Sequence, residues 1–423
     1  FIALGGFFVY NLMPIDAFPD VTNIQVQVLA EAPGLSPVEV ERFVTFPLEL
    51  QLTGLPDLAE IRSLSKFGLS QITVVFKDHV EIYRGRQLVL ERLLEVKERL
   101  PAGVEPIMAP VTTGLGEIYQ YYLDDPRVSS EDPALQEQQL IELRTLQDWV
   151  IRLRLKSVPG VIEVNAIGGF VKQYQVLVEP SKLRKYNLTL REVFEAVAHN
   201  NANTGGNVLE QHGERAIVRG VGLIRNMTDI EDIVVKETGG TPVFVRNVAD
   251  VRIGHVVRHG AAVLNGEREV AAGIVLMLRG DNARAVTEAV KEKIESLYRD
   301  RLLPEGVRLI PFYDRMELVT AALRTVDGAL LQGIILVVVV LFLLMGNVRS
   351  ALIVVATLIL SPAATFIIMR EVALSANLMS LGGLAVAIGM VVDATIVVVE
   401  NVERRLAERQ DVRRGKSEAI LHA

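Results

Sequence analysis

Charged residues vanish from three stretches toward the end of the chain, 328–348, 350–369 and 372–392. Each is about long enough, as a helix, to cross the ~30 Å hydrocarbon core of a bilayer. Residues 1–13 are uncharged as well. That segment is too short to span alone and reads as the tail of a truncated first transmembrane helix. From Pro14 to Asp327 the pattern changes to alternation of apolar and polar positions. The layout is one span, a large domain, then three spans.

Within the large domain a local pattern recurs four times: an amphipathic helix, a turn containing Pro, and a short alternating strand. The turn-and-strand pieces are 53–61, 99–106, 157–164 and 302–310. The spacing predicts helices over 36–52, 82–100, 140–157 and 282–303, with strands such as 24–30 and 70–77 beside them. Paired, the four units give two ferredoxin-like βαββαβ modules. The second is interrupted over 171–255 by a segment with its own helix (189–201) and Gly-rich hairpin signals at Thr204-Gly-Gly-Asn207 and Thr238-Gly-Gly-Thr241. The expected fold is an α+β membrane protein, a transmembrane helix bundle carrying a domain of two such modules with an inserted subdomain.

Composition narrows the chemistry. Half of the residues are apolar and 22% are charged, and the mean hydropathy of +0.32 rules out an ordinary soluble domain. With no cysteine, thiolate metal ligands, a catalytic thiol and disulfides are excluded. A net charge of −7 leaves no basic footprint for nucleic acid and suits a cationic substrate better. Arg404, Arg405, Arg409, Arg413, Arg414 and Lys416 crowd the tail, and Arg349 lies in the turn between two spans. Both should be cytoplasmic, which places the large domain on the opposite face, the periplasm of a Gram-negative cell.

The last span carries the most informative residue. Asp393 stands alone among apolar residues, and at ~100° per residue Gly382, Val386, Gly389, Ile396 and Glu400 fall within about 60° of it. Small residues on that face let a neighbouring helix come close, so the face is expected to pack against one, shielding the carboxylate from lipid. A charge there is costly unless a cationic group moves near, which is the physics of a proton carrier. Glu400, near the cytoplasmic boundary, reads either as a solvated end residue or as a second relay group. His255 and His259 are four apart but sit in a strand-like stretch, and His199 reads as a helix-end residue. No Ser/His/Asp arrangement or nucleotide-binding motif is evident, so the expected energy source is a proton gradient and the chain is read as a secondary transporter, not an enzyme.

This last span resembles the Asp-bearing fourth membrane helix of resistance-nodulation-division (RND) proton antiporters. The stretches Asp20-Val-Thr-Asn-Ile-Gln-Val-Gln-Val28, Glu31-Ala-Pro-Gly-Leu-Ser-Pro37, Val44-Thr-Phe-Pro47, Arg62-Ser-Leu-Ser65 and Gly68-Leu-Ser-Gln-Ile-Thr-Val74 are similar to the heavy-metal efflux branch, the CzcA/CusA type. So are Thr113-Gly-Leu-Gly-Glu-Ile-Tyr119, Leu143-Arg-Thr-Leu-Gln-Asp-Trp149 and Gly168-Gly-Phe-Val-Lys-Gln-Tyr-Gln175. The resemblance covers essentially the whole chain and matches the N-terminal half of such a pump.

The resemblance implies an inner-membrane component of a tripartite efflux system, working as a homotrimer with a periplasmic adaptor (membrane fusion) protein and an outer-membrane channel. It implies a first porter subdomain (14–117), a second in two parts (118–170 and 256–325), a docking subdomain (171–255), membrane helices at 1–13, 326–348, 349–370 and 375–401, and a cytoplasmic tail (402–423). Proton entry through Asp393 would drive alternating access, with the metal cation as substrate and no cofactor. In the cobalt, zinc and cadmium type a second acid commonly precedes the main Asp by six residues; here that position is Ala387. The copper and silver type relays its ions through paired methionines, and the nine Met of this chain form no close pair. Candidate metal contacts are Glu117, a carboxylate suited to zinc, and Met379 and Met390 on or near the Asp393 helix. Two rival readings are an RND exporter of organic compounds, against which an aromatic content of 6% argues, and a non-transporting membrane scaffold.

Overall fold

The computed structural model describes residues 1–408 except 17, 128–131, 212, 259, 346–347 and 373. The basic tail beyond Glu408 and His259 therefore lie outside the described residues.

The first sheet begins with Gln25–Glu31, in which Val26, Val28 and Ala30 are buried and the residues between them face outward. This strand lies between Leu69–Phe76 and Pro106–Met108, and Leu58–Lys66 closes the far edge, every pairing antiparallel. In chain order the sheet runs second, third, first, fourth, the arrangement of a split βαβ unit. Its first helix opens at Ser36, where the Ser36 N–H donates to Glu39 Oε2 at 2.8 Å and Pro37 occupies the first turn. That helix runs as Pro37–Val40, a widened turn Glu41–Thr45, and Phe46–Leu52. The widened turn sits just ahead of Pro47, which has no N–H to give the helical ladder. The second helix is Ile82–Val96, and the two helices bury Val40, Val44, Leu48, Leu52, Val89 and Leu93 against the sheet.

The second sheet repeats this order. Glu117–Asp124 pairs with Arg268–Met277 and Arg308–Asp314, and Val161–Gly168 pairs with the other side of Arg268–Met277. Its first helix starts at Pro133, seven residues ahead of the expected position, because the Asp132 carboxylate accepts from the Ala134 N–H at 3.0 Å and caps it there. The helix Ala283–Arg299 covers the same face of the sheet. Between Val161–Gly168 and Arg268–Met277 the chain leaves the module through an antiparallel stem, Lys172–Val178 against Ala249–His255, registered from Lys172–His255 to Val178–Ala249. Beyond the stem lie the helix Leu190–His199, the hairpin Thr204–Gln211 with Glu214–Gly220, and a second hairpin, Val234–Thr238 with Thr241–Phe244.

The strand Arg308–Asp314 passes without a break into the helix Arg315–Met345, followed by Val348–Glu371 and Leu378–Glu408. Among the described residues two helices are long and apolar enough to cross a membrane, Val348–Glu371 and Leu378–Val402; in the first of the three the apolar core is Leu331–Val340. The uncharged run that begins at Val372 becomes helical only at Leu378, because Asn377 Oδ1 accepts the Met379 and Ser380 N–H groups, each at 3.0 Å, and fixes the start. The short helix Ile2–Leu12 lies along Val348–Glu371. A Cβ added at Gly6 would stand 2.5 Å from the Ala363 backbone, so only glycine permits this approach.

Candidate functional site

Two places deserve the name of site, the exposed face of the Asp393 helix and the cleft between the two modules. Along the helix, Leu384, Val392 and Val399 are buried, and Val392 and Val399 pack with Val354 and Leu358 of Val348–Glu371. Asp393, Val386, Gly389, Met390 and Glu400 are exposed. Among the described residues no van der Waals partner for a Cβ at Gly382, Gly383 or Gly389 stands within 4 Å. The chain's own helices occupy the opposite face, where Leu384, Val392 and Val399 offer larger apolar side chains, and among the described residues none covers the Asp393 face, which is left open to a helix beyond this chain.

Met379 and Met390 are 69% and 66% exposed. Eleven residues apart, they return to within about 20° of one another around the helix. Met390 is three residues before Asp393, so the two share one side of the helix. Glu400 lies seven residues beyond Asp393, about 10 Å along the axis.

The cleft between the modules encloses about 500 Å³ and is lined by Gln25, Gln27, Arg86, Glu117, Arg152, Glu163 and Arg279 among others. Glu117 opens its strand and accepts from Gln120 Nε2 at 2.8 Å. Burial works to raise the Glu163 carboxyl, but the Lys156 ammonium at 2.8 Å, the Val164 N–H and the Arg152 guanidinium outweigh it and hold the group below the ordinary carboxylate range. A saturated Glu163 is a poor free ligand; Glu117, with one amide partner, is the better oxygen donor of the two. Among the described residues no three His, Asp or Glu side chains cluster to hold a metal ion. His255 instead stacks on Phe170 at 4.4 Å between ring centres and lies 3.4 Å from Glu137. His199 ends its helix and is exposed. The structure thus brings Met390 and Asp393 to one face and leaves Glu117 in a separate cleft.

Sequence reasoning missed a third group. Arg315 Nη2 donates to both carboxylate oxygens of Asp16 at 2.6 Å, and the guanidinium is only 6% exposed. The partners lie 299 residues apart in sequence, so no local pattern could have paired them.

Two helices long and apolar enough to span a bilayer, one of them with Asp393 set among glycines, and a third helix that continues straight from a strand of paired split βαβ modules are the features of a membrane protein of the resistance-nodulation-division class. The chain belongs to the AcrB/AcrD/AcrF family, whose family model matches residues 1–422. It is 48% identical over 410 residues to the protein HelA of Legionella pneumophila, covering 97% of this chain and 38% of HelA. It is 47% identical to the cobalt-zinc-cadmium resistance protein CzcA of Cupriavidus metallidurans, covering 96% of this chain and 38% of CzcA. A crystal structure of a heavy metal efflux pump superposes with a TM-score of 0.88 at 38% identity, covering all of this chain and 40% of that one. The chain thus spans about two fifths of the length of these relatives.

Proposed function

We propose that the protein to which this chain belongs exports heavy-metal cations across the bacterial inner membrane, driven by protons, as the pump of a tripartite RND system. The observation that carries this reading is Asp393, the one acid between Leu378 and Val399, on a helix face whose glycines leave room for a second helix. Protonated, the group is neutral and tolerates an apolar neighbour; ionised, it draws a cationic one. Alternation between these arrangements converts proton passage into helix displacement, with Glu400 as a second relay group toward the cytoplasm. The metal reading rests on the kinship with a cobalt-zinc-cadmium resistance protein and a heavy metal efflux pump.

In this reading 14–117 and the split segment 118–170 with 256–325 are porter subdomains, and 171–255 is the docking subdomain. The working form is a homotrimer coupled to a periplasmic adaptor and an outer-membrane channel. Glu117 contacts the metal in the inter-module cleft, and Met379 and Met390 contact it beside the membrane helix. Cells expressing the intact protein should resist zinc, cobalt or cadmium, or copper or silver, and Asp393→Asn should abolish that resistance while trimer yield is unchanged. Resistance that survives the substitution refutes the proton mechanism. Resistance to organic compounds alone shifts the substrate class.

A further inference from the structure

The segment that leaves the first helix is tied down at both ends. Ile15 forms a parallel bridge with Ala376: the Asp16 N–H donates to Ala376 O at 3.1 Å and the Ala376 N–H donates to Pro14 O at 3.0 Å. Ala376 is fully buried, Ile15 nearly so, and the next residue, Asn377, caps the Asp393 helix. On its other side Asp16 holds Arg315, the first residue of Arg315–Met345. The preceding residue, Asp314, ends a strand of the second module, accepts the Met316 N–H at 2.8 Å and pairs with Lys291 of the covering helix. Farther along, Arg279 of the second module donates to Thr22 O and Asn23 O at 2.6 and 3.0 Å. One short segment therefore touches the cap of the Asp393 helix, the root of a second membrane helix and the edge of a module.

We propose that the Asp16–Arg315 pair is a positioning joint that passes displacement of the Asp393 helix into the second module. The inference rests on the transport reading above. Its geometric basis is that the two mechanical routes from Asn377 to the sheet, the Ile15–Ala376 bridge and the Asp314–Arg315 strand end, meet at one partly buried charge-assisted contact. Arg315 Nη2 bridges both carboxylate oxygens of Asp16, and such a charge-assisted contact holds its partners at a fixed separation, which a sliding apolar contact between helices does not. The pair carries no proton and touches no metal; it acts through the elements it joins.

The test uses the intact protein, with any cysteine outside this cysteine-free chain replaced by serine, and spin labels at Val372→Cys and Phe312→Cys, two exposed positions flanking the joint. With the joint present the label-to-label distance distribution should be narrow. Asp16→Asn and Arg315→Gln should each broaden it, and Asp16→Glu should restore most of the narrowness. In vesicles with zinc as probe, the same two variants should lower proton-driven zinc flux about tenfold while zinc binding to the purified trimer stays within about twofold. An unchanged distribution, or full flux in both variants, overturns the joint, and so does a loss of zinc binding matching the loss of flux. The distance measurement needs no transport. Zinc flux that survives Asp393→Asn therefore defeats the function reading while the width of the distribution still decides the joint.

Discussion

The two split βαβ modules share one strand order and differ in where their cores end. The first module closes on itself: Val28, Leu48, Leu52, Ile72, Val74, Phe76 and Val89 form a cluster that, among the described residues, includes none from the helices that follow Asp314. The second does not close. Ile118, Tyr121, Ile151, Val275, Val290 and Leu297 belong to one continuous cluster with Met316, Val319 and Leu323 of Arg315–Met345, Met369, Ala376, and Leu381 and Leu384 of the Asp393 helix. Packed interiors transmit displacement, whereas a core bounded by polar contacts isolates it. The second module is thereby built as one body with the long helices that follow it and the first as a separate body. Both chain crossings to the first module meet at one edge, where Arg279 holds Thr22, Asn23 and Val111 and Thr112 donates to Met277 O.

The largest effects should come from cutting each core. Tyr121 is fully buried and its hydroxyl donates to Gln147 Oε1 at 2.9 Å. Tyr121→Ala should cost about 3–5 kcal/mol, and hydrogen exchange should show the second module and the membrane-helix residues joined to it losing protection together. Leu48→Ala, in the first module, should cost about 2–5 kcal/mol, with lost protection confined to that module. If both variants loosen the membrane helices alike, the distinction between a joined and a separate body fails.

A smaller and sharper contrast lies between two glycines. Gly6 meets Ala363 at a distance that leaves no space, so Gly6→Leu should separate the Ile2–Leu12 and Val348–Glu371 helices and cost about 1–3 kcal/mol. Gly389 has open space around it. Gly389→Leu should leave the stability of this chain's own packing within about 0.5 kcal/mol, while in the intact protein it should suppress metal resistance if another helix approaches the Asp393 face. Thermal unfolding reads the first effect and growth on metal the second. Full resistance in Gly389→Leu would show that the open face stays open.

Much of this architecture is written locally. Pro-containing turns at regular spacing punctuate the modules, and the capping pair Ser36 and Glu39 marks a helix start within four residues. The face shared by Asp393, Gly389 and Glu400 follows from helical periodicity alone. What escaped the sequence is set by distance or by polarity. The helix at Arg315 begins well before its apolar core because Arg315, Glu317 and Arg324 mask its first turns from any hydropathy reading. The widened turns at Glu41–Thr45 and Gln147–Ile151 have no signature beyond Pro47 in the first. What packs on the Asp393 face escaped for a related reason: periodicity tells which residues share a face but not which face the chain's own helices choose.

The smallest predicted effect concerns an ion pair at the edge of the joined body. Arg258 Nη2 donates to Glu269 Oε1 at 2.8 Å, and this hydrogen bond holds the Glu269 carboxyl below its ordinary range against the opposing pull of burial. A carboxyl lowered in the folded state contributes stability that is fully present above its unfolded value, about 4.3, and fades as pH falls through the folded value. Both side chains are about a third exposed, so screening by solvent leaves on the order of 0.5 kcal/mol. Glu269→Gln should therefore lower the denaturant midpoint of the second module slightly at pH 7, and the gap from the unsubstituted protein should close on acidification below about pH 4. In the first module Lys97 lowers Glu105 through a hydrogen bond of 2.8 Å, but both groups are well exposed, and Glu105→Gln should open no measurable gap. Equal gaps in the two modules would mean that burial at the joined body's edge adds nothing to the pair.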